Sequence, residues 1–403
     1  MRIFLVGGAL RDRLLGLPVR ERDFVVVGAT AEQMLEQGFQ QVGRDFPVFL
    51  HPQTHEEYAL ARSRRRPGKG DGRPHADPSV SLEEDLARRD LTINALAESE
   101  DGLLIDPFGG RQDLRARLLR HVSPAFTEDP VRVLRLARFM ARYQGLGFRV
   151  AEETLVLMRR MAESGALDAL VAERVWQELT GALACEDPRP FFDTLRCCGA
   201  LVRVFPEIDR LWGVPQPKHW HPEIDCGIHS MLVLRMACRL SPLLEVRFAA
   251  LTHDLGKGTT PDEMLPSHHG HEARGARLVG RLCERLRAPK RFRLLAERCA
   301  NYHGLCHRLD ELNPRTIIRL LERLDAFRQP EAFASYLLVC EADYRGRQGR
   351  ENRPYPQARE FQRLFDAARQ VDTCTLQYLS DGRAIGKALH DLRLAAIKAA
   401  KSQ

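Results

Sequence analysis

The period of the hydrophobic pattern changes near residue 130, and this change restricts the fold of the chain more than any other feature. Apolar or alternating runs typical of strands occur at Ile3–Val6, Phe24–Val27, Val48–Leu50 and Leu103–Ile105. From Pro130 onward, apolar residues recur with helical spacing and no convincing strand alternation returns. The pattern therefore predicts an α+β fold, in which a mixed sheet with helices is followed by an all-α remainder.

The chain is long enough for several domains, since 403 residues allow roughly two to three separate cores. Stretches rich in Pro and Trp at 212–220 and in Arg and Gly at 345–350 indicate boundaries. A polar, arginine-rich segment at 62–78 predicts mobility until an anion binds, and the capping-box pattern from Ser81 to Glu84 predicts a new helix after it. We therefore expect a mixed-sheet head at 1–120, a helical neck and body at 121–220, a histidine-rich helical block at 221–343 and a basic helical tail at 344–403.

The charge of the chain favours a polyanionic partner. The formal net charge is +7 and the pI is near 9.0. Arginine dominates the 61 basic residues, which suits bidentate contacts to phosphate. Nucleic acid is the natural candidate, and a merely solvated basic surface is the alternative. No apolar run approaches the roughly 18 residues of a membrane span, and the ten cysteines include no CxxC pair, so we expect a cytoplasmic protein with reduced thiols and no membrane contact.

A glycine pair and a carboxylate pair lie close together near the start of the chain. Gly7 and Gly8 follow the first apolar run, let the backbone approach a ligand and, with Arg11, suit a triphosphate. Glu21 and Asp23 open a predicted strand two residues apart, so both carboxylates should project from one face. Paired carboxylates suit Mg²⁺, which can activate a 3′-hydroxyl and neutralise a leaving pyrophosphate. A tight turn and a solvated acidic turn are the structural alternatives.

This arrangement resembles the polymerase-β-like nucleotidyltransferases of the bacterial CCA-adding and poly(A) polymerase class. The resemblance rests on LVGGALRD at residues 5–12 followed by Glu21 and Asp23. It implies that the two carboxylates are catalytic and bind Mg²⁺, and that Gly8 and Arg11 bind the nucleotide. The first carboxylate of the family is usually aspartate, so the longer Glu21 is a departure that would shift the ion slightly while function is expected to survive. Glu57 is a candidate for a third carboxylate.

A second motif of the same class occurs at residues 88–96, with the sequence RRDLTINAL. The resemblance implies that Arg89 lies near the triphosphate and that Asp90 and Asn94 lie near the sugar. A surface ion pair between Arg89 and Asp90 is the structural alternative. Further along, ERVWQE at residues 173–178 resembles the ERxxxE motif of the class. That match implies a structural role in bracing the helix after Pro130.

The segment EDPVR at residues 128–132 resembles the EDxxR motif, which acts as an amino-acid template for the incoming base. The resemblance implies that Asp129 and Arg132 contact the base and that Arg135 and Arg138 contact the nucleotide more broadly. A carboxylate accepts from the exocyclic amine that cytosine and adenine share, whereas uracil and guanine would leave buried charges unpaired. On local sequence alone, Asp129 is equally an N-cap with Pro130 in the first turn.

A second chemical pattern lies in the histidine-rich block, where His229, His253, Asp254 and Asp343 follow the order H…HD…D in predicted helices. This order resembles the HD phosphohydrolase superfamily and implies that the four side chains bind a divalent ion, either Mg²⁺ or Ni²⁺. Water bound to such an ion becomes acidic enough to attack phosphorus. Isolated histidines would more often be structural. Additional candidates for a second ion or for phosphate contacts are His268, His269, His271 and His303.

The combination of this head with an HD block resembles the multifunctional CCA proteins, which are class II CCA-adding enzymes. The resemblance implies a CTP(ATP):tRNA nucleotidyltransferase that adds the 3′-terminal CCA without a nucleic-acid template. It also implies 2′,3′-cyclic phosphodiesterase, 2′-nucleotidase and phosphatase activity, with tRNA, CTP and ATP as partners. Two alternatives remain: a poly(A) polymerase sharing the head motifs, and an HD hydrolase whose head, disabled by Glu21, only binds RNA. A monomer and a homodimer are both compatible with the sequence.

Overall fold

The computed structural model describes residues 1–42, 48–63, 77–374 and 380–402. The mobility predicted for 62–78 falls mostly outside these residues. The chain forms two compact units, the first from Met1–Leu170 and Cys197–Ala200 and the second from Val171–Arg196 and Leu201–Gln403. The predicted division into four parts stays a prediction.

The first unit is built on a mixed β-sheet. Its strands are β1 (Arg2–Val6), β2 (Asp23–Val27), β3 (Gln40–Val42), β4 (Val48–Leu50), β5 (Glu57–Leu60), β6 (Ala97–Ser99) and β7 (Leu104–Ile105). Among the described residues, these form a seven-stranded sheet in the order β3-β4-β5-β2-β1-β6-β7. Neighbours are antiparallel except β2 and β5, which are parallel. The four predicted strand runs are therefore confirmed to within one residue.

Strand β2 is buried on both faces but exposed at its first residue. Val25 and Val27 pack into one apolar cluster, and Val26 packs into a second cluster with Phe49. Such two-sided burial explains why the run reads as continuously apolar. Asp23, at the exposed end, is thereby placed at the rim of the sheet, where a carboxylate keeps access to solvent and ligands.

Two expectations about strands were wrong in detail. Strand β2 begins at Asp23, which pairs with Val6, so Glu21 precedes the strand instead of opening it. The reason is that β1 ends at Val6, because Gly7 turns the chain away with a φ of 70°. Beyond residue 130, where no strand was expected, β9 (Arg149–Val150) pairs in parallel with β8 (Leu118–Leu119).

The helices of the first unit lie between and after these strands. The predicted capping box is confirmed: the hydroxyl of Ser81 accepts from the backbone N–H of Glu84 at 3.2 Å, and the Glu84 carboxylate accepts from the backbone N–H of Ser81 at 2.8 Å. The helices are α1 (Gly8–Leu14), α2 (Ala31–Glu36), α3 (Leu82–Ala87), α4 (Gly110–Ala116), α5 (Val131–Arg142) and α6 (Glu152–Glu163).

The remainder of the chain is helical, as the apolar spacing predicted. Its helices are α7 (Ala172–Leu183), α8 (Arg189–Cys197), α9 (Leu201–Val204), α10 (Pro206–Asp209), α11 (Cys226–Leu240), α12 (Leu244–Thr252), α13 (His271–Arg285), α14 (Lys290–His307), α15 (Pro314–Arg323), α16 (Pro330–Gly346), α17 (Pro356–Arg369) and α18 (Gly382–Lys401). Helix α11 packs on α12 and α16, and α14 packs on α12, α13 and α16. None of the described helices is long and apolar enough to cross a membrane.

Candidate functional sites

The glycine turn lies at the end of the head sheet where strand β1 ends and strands β2 and β5 begin. Val6, the last residue of β1, pairs with Asp23, and Asp23 pairs in the parallel direction with Glu57 of β5. A Cβ atom at Gly7 would lie 2.8 Å from Nη1 of Arg89, and the residue has a φ of 70°, so the position requires glycine. This end of the sheet therefore combines a close backbone approach, neighbouring carboxylates and an arginine.

The carboxylates at this end of the sheet are electrostatically coupled. Partial loss of solvent raises the pKa of Asp23, the charge of Glu21 raises it further, and Arg89 and Arg11 lower it. The side chains of Glu21, Asp23 and Glu57 all keep solvent access. Acidic oxygens on an accessible rim, with cations beside them for phosphate, suit a hard divalent ion bound together with a triphosphate.

Arg11 is held from two sides by buried polar groups. Its Nε donates to Oδ1 of Asp12 at 2.8 Å, and its Nη1 donates to Oδ1 of Asn94 at 2.5 Å. Asp12 also accepts from Nη2 of Arg142 at 2.7 Å and from the hydroxyl of Tyr143 at 3.2 Å. Asp12 thus links α1 to α5 and orients the candidate phosphate-binding arginine. No sequence signal had distinguished it within its motif.

The second motif continues this polar chain. Asn94 donates from Nδ2 to Oδ1 of Asp90 at 2.9 Å, and Nε of Arg135 donates to Oδ2 at 2.9 Å. Burial alone would raise the pKa of Asp90, but the charge of Arg135 and these hydrogen bonds lower it to about 2. Arg89 donates to the backbone oxygen of Asn94 at 3.3 Å. The guanidinium carbon of Arg138 lies over the ring of Phe139, 5.1 Å from its centroid. The structure therefore gathers the second motif and α5 around Asp90.

The two candidate template residues already make contacts within the protein. Arg132 donates to the backbone oxygens of Ala125 and Arg88, at 2.6 and 2.5 Å. Oδ1 of Asp129 accepts from the backbone N–H of Val131 at 3.2 Å, one position earlier than a regular cap of α5. Pro130 is the N-cap of α5, so the structural alternative of Asp129 as the N-cap was wrong, although its side chain accepts from a backbone N–H at the start of the helix. The contact of both residues with a base stays a prediction.

The ERxxxE motif lies at the start of α7. Glu173 pairs with Arg287, and Glu178 is buried. The pair of Glu173 and Arg287 lies within the second unit, and the predicted bracing of α5 stays a prediction.

The four residues of the HD pattern converge in the second unit and are almost fully buried. Nε2 of His229 lies 3.1 Å from Oδ1 of Asp343 and 3.7 Å from Oδ2 of Asp254, and Nε2 of His253 lies 3.2 Å from that same Oδ2. His229 and Asp343 occupy helices α11 and α16, as predicted. The helical expectation was wrong for His253 and Asp254, which directly follow the end of α12.

Ring nitrogens around this cluster are arranged as metal ligands. Nδ1 of His253, His271 and His303 each lies 2.8 to 2.9 Å from a backbone carbonyl oxygen, to which it can donate its proton. Their Nε2 atoms then carry lone pairs and lie within 3.6 Å of Asp254. Among the described residues, Nε2 of His229, His253 and His271 finds no hydrogen-bond partner. Such buried atoms are costly unless something binds them, so the donor set fits a divalent ion.

The additional histidines divide into two groups. His271 and His303 join Asp254 in a cluster able to hold an ion, which agrees with their candidacy. His268 instead contacts the hydroxyl of Thr260 at 2.8 Å, and His269 is exposed. Neither residue belongs to the groups of possible metal ligands found among the described residues.

Several residues of the HD centre were not predicted from the sequence. Nζ of Lys257 lies 2.7 Å from Asp254, and the Glu223 carboxylate approaches His229 Nδ1 to 2.8 Å. Nε2 of His307 lies 2.6 Å from Asp343. His307 follows His303 by four residues in one helix, and that spacing, which puts two side chains on one face, was the available signal.

The fold and the two clusters define a nucleotidyltransferase joined to an HD phosphohydrolase, and both parts depend on divalent metal ions. Family models match in the same order along the chain: "Poly A polymerase head domain" at residues 3–120, "Probable RNA and SrmB- binding site of polymerase A" at 147–211 and "HD domain" at 227–327. The chain is 61% identical to the multifunctional CCA protein of Thioalkalivibrio sulfidiphilus, covering 100% of this chain and 99% of that protein. It is 60% identical to that of Methylococcus capsulatus, over 99% and 95%. The chain therefore belongs to the multifunctional CCA protein family.

Solved structures show the same fold at much lower identity. A CCA-adding enzyme in complex with CTP matches with a TM-score of 0.66 and 19% identity, covering 98% of this chain and 87% of the other. An apo form of a CCA-adding enzyme matches with a TM-score of 0.68 and 18% identity, covering 98% and 88%. The α+β head followed by helical domains is thus shared across distant sequences.

Proposed function

We propose that the chain adds the 3′-terminal CCA of tRNA from CTP and ATP without a nucleic-acid template. We also propose that its HD domain removes 2′,3′-cyclic and 2′-phosphates from RNA ends. The observation that carries this proposal is the presence of acidic residues at the glycine turn of the first unit and of a histidine–aspartate cluster in the second, in a chain similar over its full length to multifunctional CCA proteins. A poly(A) polymerase would account for the head alone.

In the head, Asp23 and Glu21 would hold Mg²⁺, with Glu57 as a third carboxylate beside Asp23 on β5. When bound, the ion supplies charge that helps the 3′-hydroxyl attack and the pyrophosphate leave. The turn at Gly7 and Gly8 lets backbone N–H groups approach the phosphates. Binding to a phosphate would require Arg11 to share or exchange its contact with Asn94, whereas Asp12 keeps the guanidinium in place from the other side.

Selection of the base is assigned to Asp129 and Arg132. A guanidinium has five N–H donors, of which Arg132 directs at least two to backbone oxygens. These bonds fix the plane of the group and leave donors for a base edge. The carboxylate of Asp129, which accepts from a backbone N–H through Oδ1, is the kind of acceptor that suits the amine shared by cytosine and adenine.

In the HD domain, His229, His253, Asp254 and Asp343 would hold the divalent ion, Mg²⁺ or Ni²⁺. When bound, the ion makes an attacking water more acidic. Burial opposes ionisation of Asp254, but neighbouring groups, including the ammonium of Lys257 2.7 Å away, lower its pKa well below the usual range. The aspartate is thereby kept as the anion that a metal ligand must be.

The test uses full-length protein, divalent metal and tRNA lacking its last three nucleotides, supplied with each NTP separately and together. We expect addition of two C residues and one A, then arrest. Asp23→Ala should abolish this addition and leave hydrolysis of 2′,3′-cyclic nucleotides intact, and His253→Ala should do the reverse. Unlimited A addition or no use of CTP would overturn the CCA assignment. Loss of both activities in either folded variant would contradict two independent sites.

A further inference from the structure

A chain of hydrogen bonds reaches Asp343 through the carboxylate oxygen that does not face His229. Nε2 of His307 lies 2.6 Å from Oδ2 of Asp343, and Nδ1 of the same ring lies 2.9 Å from the hydroxyl of Tyr355. That hydroxyl is in turn 3.3 Å from Sγ of Cys306. The other carboxylate oxygen, Oδ1, faces His229 at 3.1 Å. Asp343 therefore has one oxygen toward the cluster and one toward this chain.

The protons of this chain can be assigned from donor and acceptor chemistry. An ionised carboxylate only accepts hydrogen bonds, and Oδ2 of Asp343 lies 2.6 Å from Nε2 of His307. Nε2 of His307 must then carry a proton. In a neutral ring Nδ1 is left to accept, and the Tyr355 hydroxyl donates to it.

We propose that Tyr355, acting through His307, is a positioning residue that directs Oδ1 of Asp343 toward the divalent ion. Outer-shell partners of this kind set the orientation of a ligand and tune its metal affinity. His307 is not itself a ligand, because both of its ring nitrogens have partners, unlike the Nε2 atoms of His253 and His271. The inference rests on the proposed HD function.

Tyr355 lies outside the part of the sequence that matches the HD domain. Tyr355 lies beyond the matched HD domain at 227–327, in the segment predicted as a tail, and directly precedes α17. Helix α17 packs on α14 and α16, which carry His307 and Asp343. The metal centre is therefore completed by a residue that follows the HD pattern in sequence, and a fragment ending at residue 343 would lack it.

The experiment compares Tyr355→Phe, which removes only the hydroxyl, with Tyr344→Phe. The ring of Tyr344 lies 5.1 Å from Tyr355 and 6.5 Å from His307, and its hydroxyl makes no hydrogen bond within the described part of the chain. Calorimetric titration of metal-free, full-length protein with Ni²⁺ and with Mg²⁺ should show affinity reduced about tenfold or more in Tyr355→Phe. Tyr344→Phe should match the wild type, and nucleotidyl transfer should be unchanged in both.

Nitrogen-15 spectra of labelled histidine provide a second readout that a purely structural role would not move. Wild-type His307, assigned by comparison with His307→Gln, should carry its proton on Nε2, and Tyr355→Phe should give a mixture of tautomers. A proton on Nδ1 in the wild type would overturn the proposal even if a variant failed to fold. Equal metal affinity in wild type and Tyr355→Phe would overturn this inference alone. Absence of metal binding by the wild type would overturn the proposed HD function with it.

Discussion

Asp12→Asn is the substitution that most directly tests how the head holds its phosphate-binding arginine. Asparagine preserves the shape of the side chain but removes the charge that faces Arg11 and Arg142. Asp12 and Arg11 are 6% and 4% exposed, so water cannot replace the lost interaction. The change therefore leaves the buried guanidinium of Arg11 with a weaker partner. The N–H₂ group of the new asparagine can only donate, but it would face donors from two arginines and Tyr143.

The magnitude follows from the burial of each pair. Removing one partner of a buried ion pair costs about 3–5 kcal/mol, and asparagine should recover part of this by accepting one hydrogen bond, which leaves about 2–3 kcal/mol for the Arg11 side. The side chain of Arg142 is 37% exposed, so its pair contributes under about 1 kcal/mol. The head should lose about 3 kcal/mol of stability. With a urea m-value of about 2 kcal/mol/M, the midpoint should fall by about 1.5 M.

The assay can separate the two units. The three tryptophans, Trp176, Trp212 and Trp220, all lie in the second unit, so their fluorescence follows that unit while circular dichroism follows both. We expect an earlier transition by circular dichroism, unchanged fluorescence and phosphodiesterase turnover, and kcat/KM for CTP reduced about tenfold or more, which corresponds to about 1.4 kcal/mol. Arg142→Gln is the control, with a small effect. Unchanged CTP kinetics together with an unchanged head transition would refute the reasoning.

Three other substitutions test separate features of the head. The pKa of Asp90 in the folded protein is about 2, against a usual value of 3.8. The ionised side chain therefore contributes about 2 kcal/mol to the free energy of unfolding above pH 4, and this contribution is lost as the pH falls toward 2. Urea unfolding at a series of pH values should show the loss in the wild type and not in Asp90→Asn. Gly7→Ala places a Cβ 2.8 Å from Nη1 of Arg89 at a φ of 70°, and should cost about 1–2 kcal/mol in thermal unfolding and reduce CTP incorporation. Arg132→Ala frees two backbone oxygens and should reduce incorporation of both CTP and ATP in single-nucleotide extension assays, whereas loss of only one would contradict a shared template role.

Local patterns predicted the parts of the fold that depend on local physics. Strand β2 was predictable because its run of valines is buried on both faces, and α3 was predictable because a capping box needs only residues three apart. The beginning of β2 was not predictable, because it depends on where Val6 pairs and where Gly7 leaves the sheet. Pairing between strands is a property of the assembled sheet.

The candidate sites show the same division between local and distant information. His253 and Asp254 could be identified as candidates because they are adjacent in the sequence. Their association with Asp343 was predicted from the resemblance to the HD phosphohydrolases. The contact between Asp12 and Arg142 joins residues 130 positions apart, and nothing in either sequence neighbourhood indicates the other. Tyr355 is equally unmarked, because only the packing of α17 brings it to the HD centre.

The two centres differ in what a ligand must displace. In the HD cluster, Nε2 of His229 and His253 finds no hydrogen-bond partner among the residues that the structure describes, so an ion can bind there without breaking a hydrogen bond of those atoms. In the head, Arg11 is bonded to Asn94 and Arg132 to backbone oxygens, so a nucleotide must share or replace these bonds. A nucleotide that forms a new hydrogen bond for each one it displaces binds without a net loss of hydrogen bonds. A nucleotide with the wrong base edge leaves charged side chains of the site buried and unpaired. The existing contacts of the head therefore contribute to base discrimination, because only a matching edge compensates for their loss.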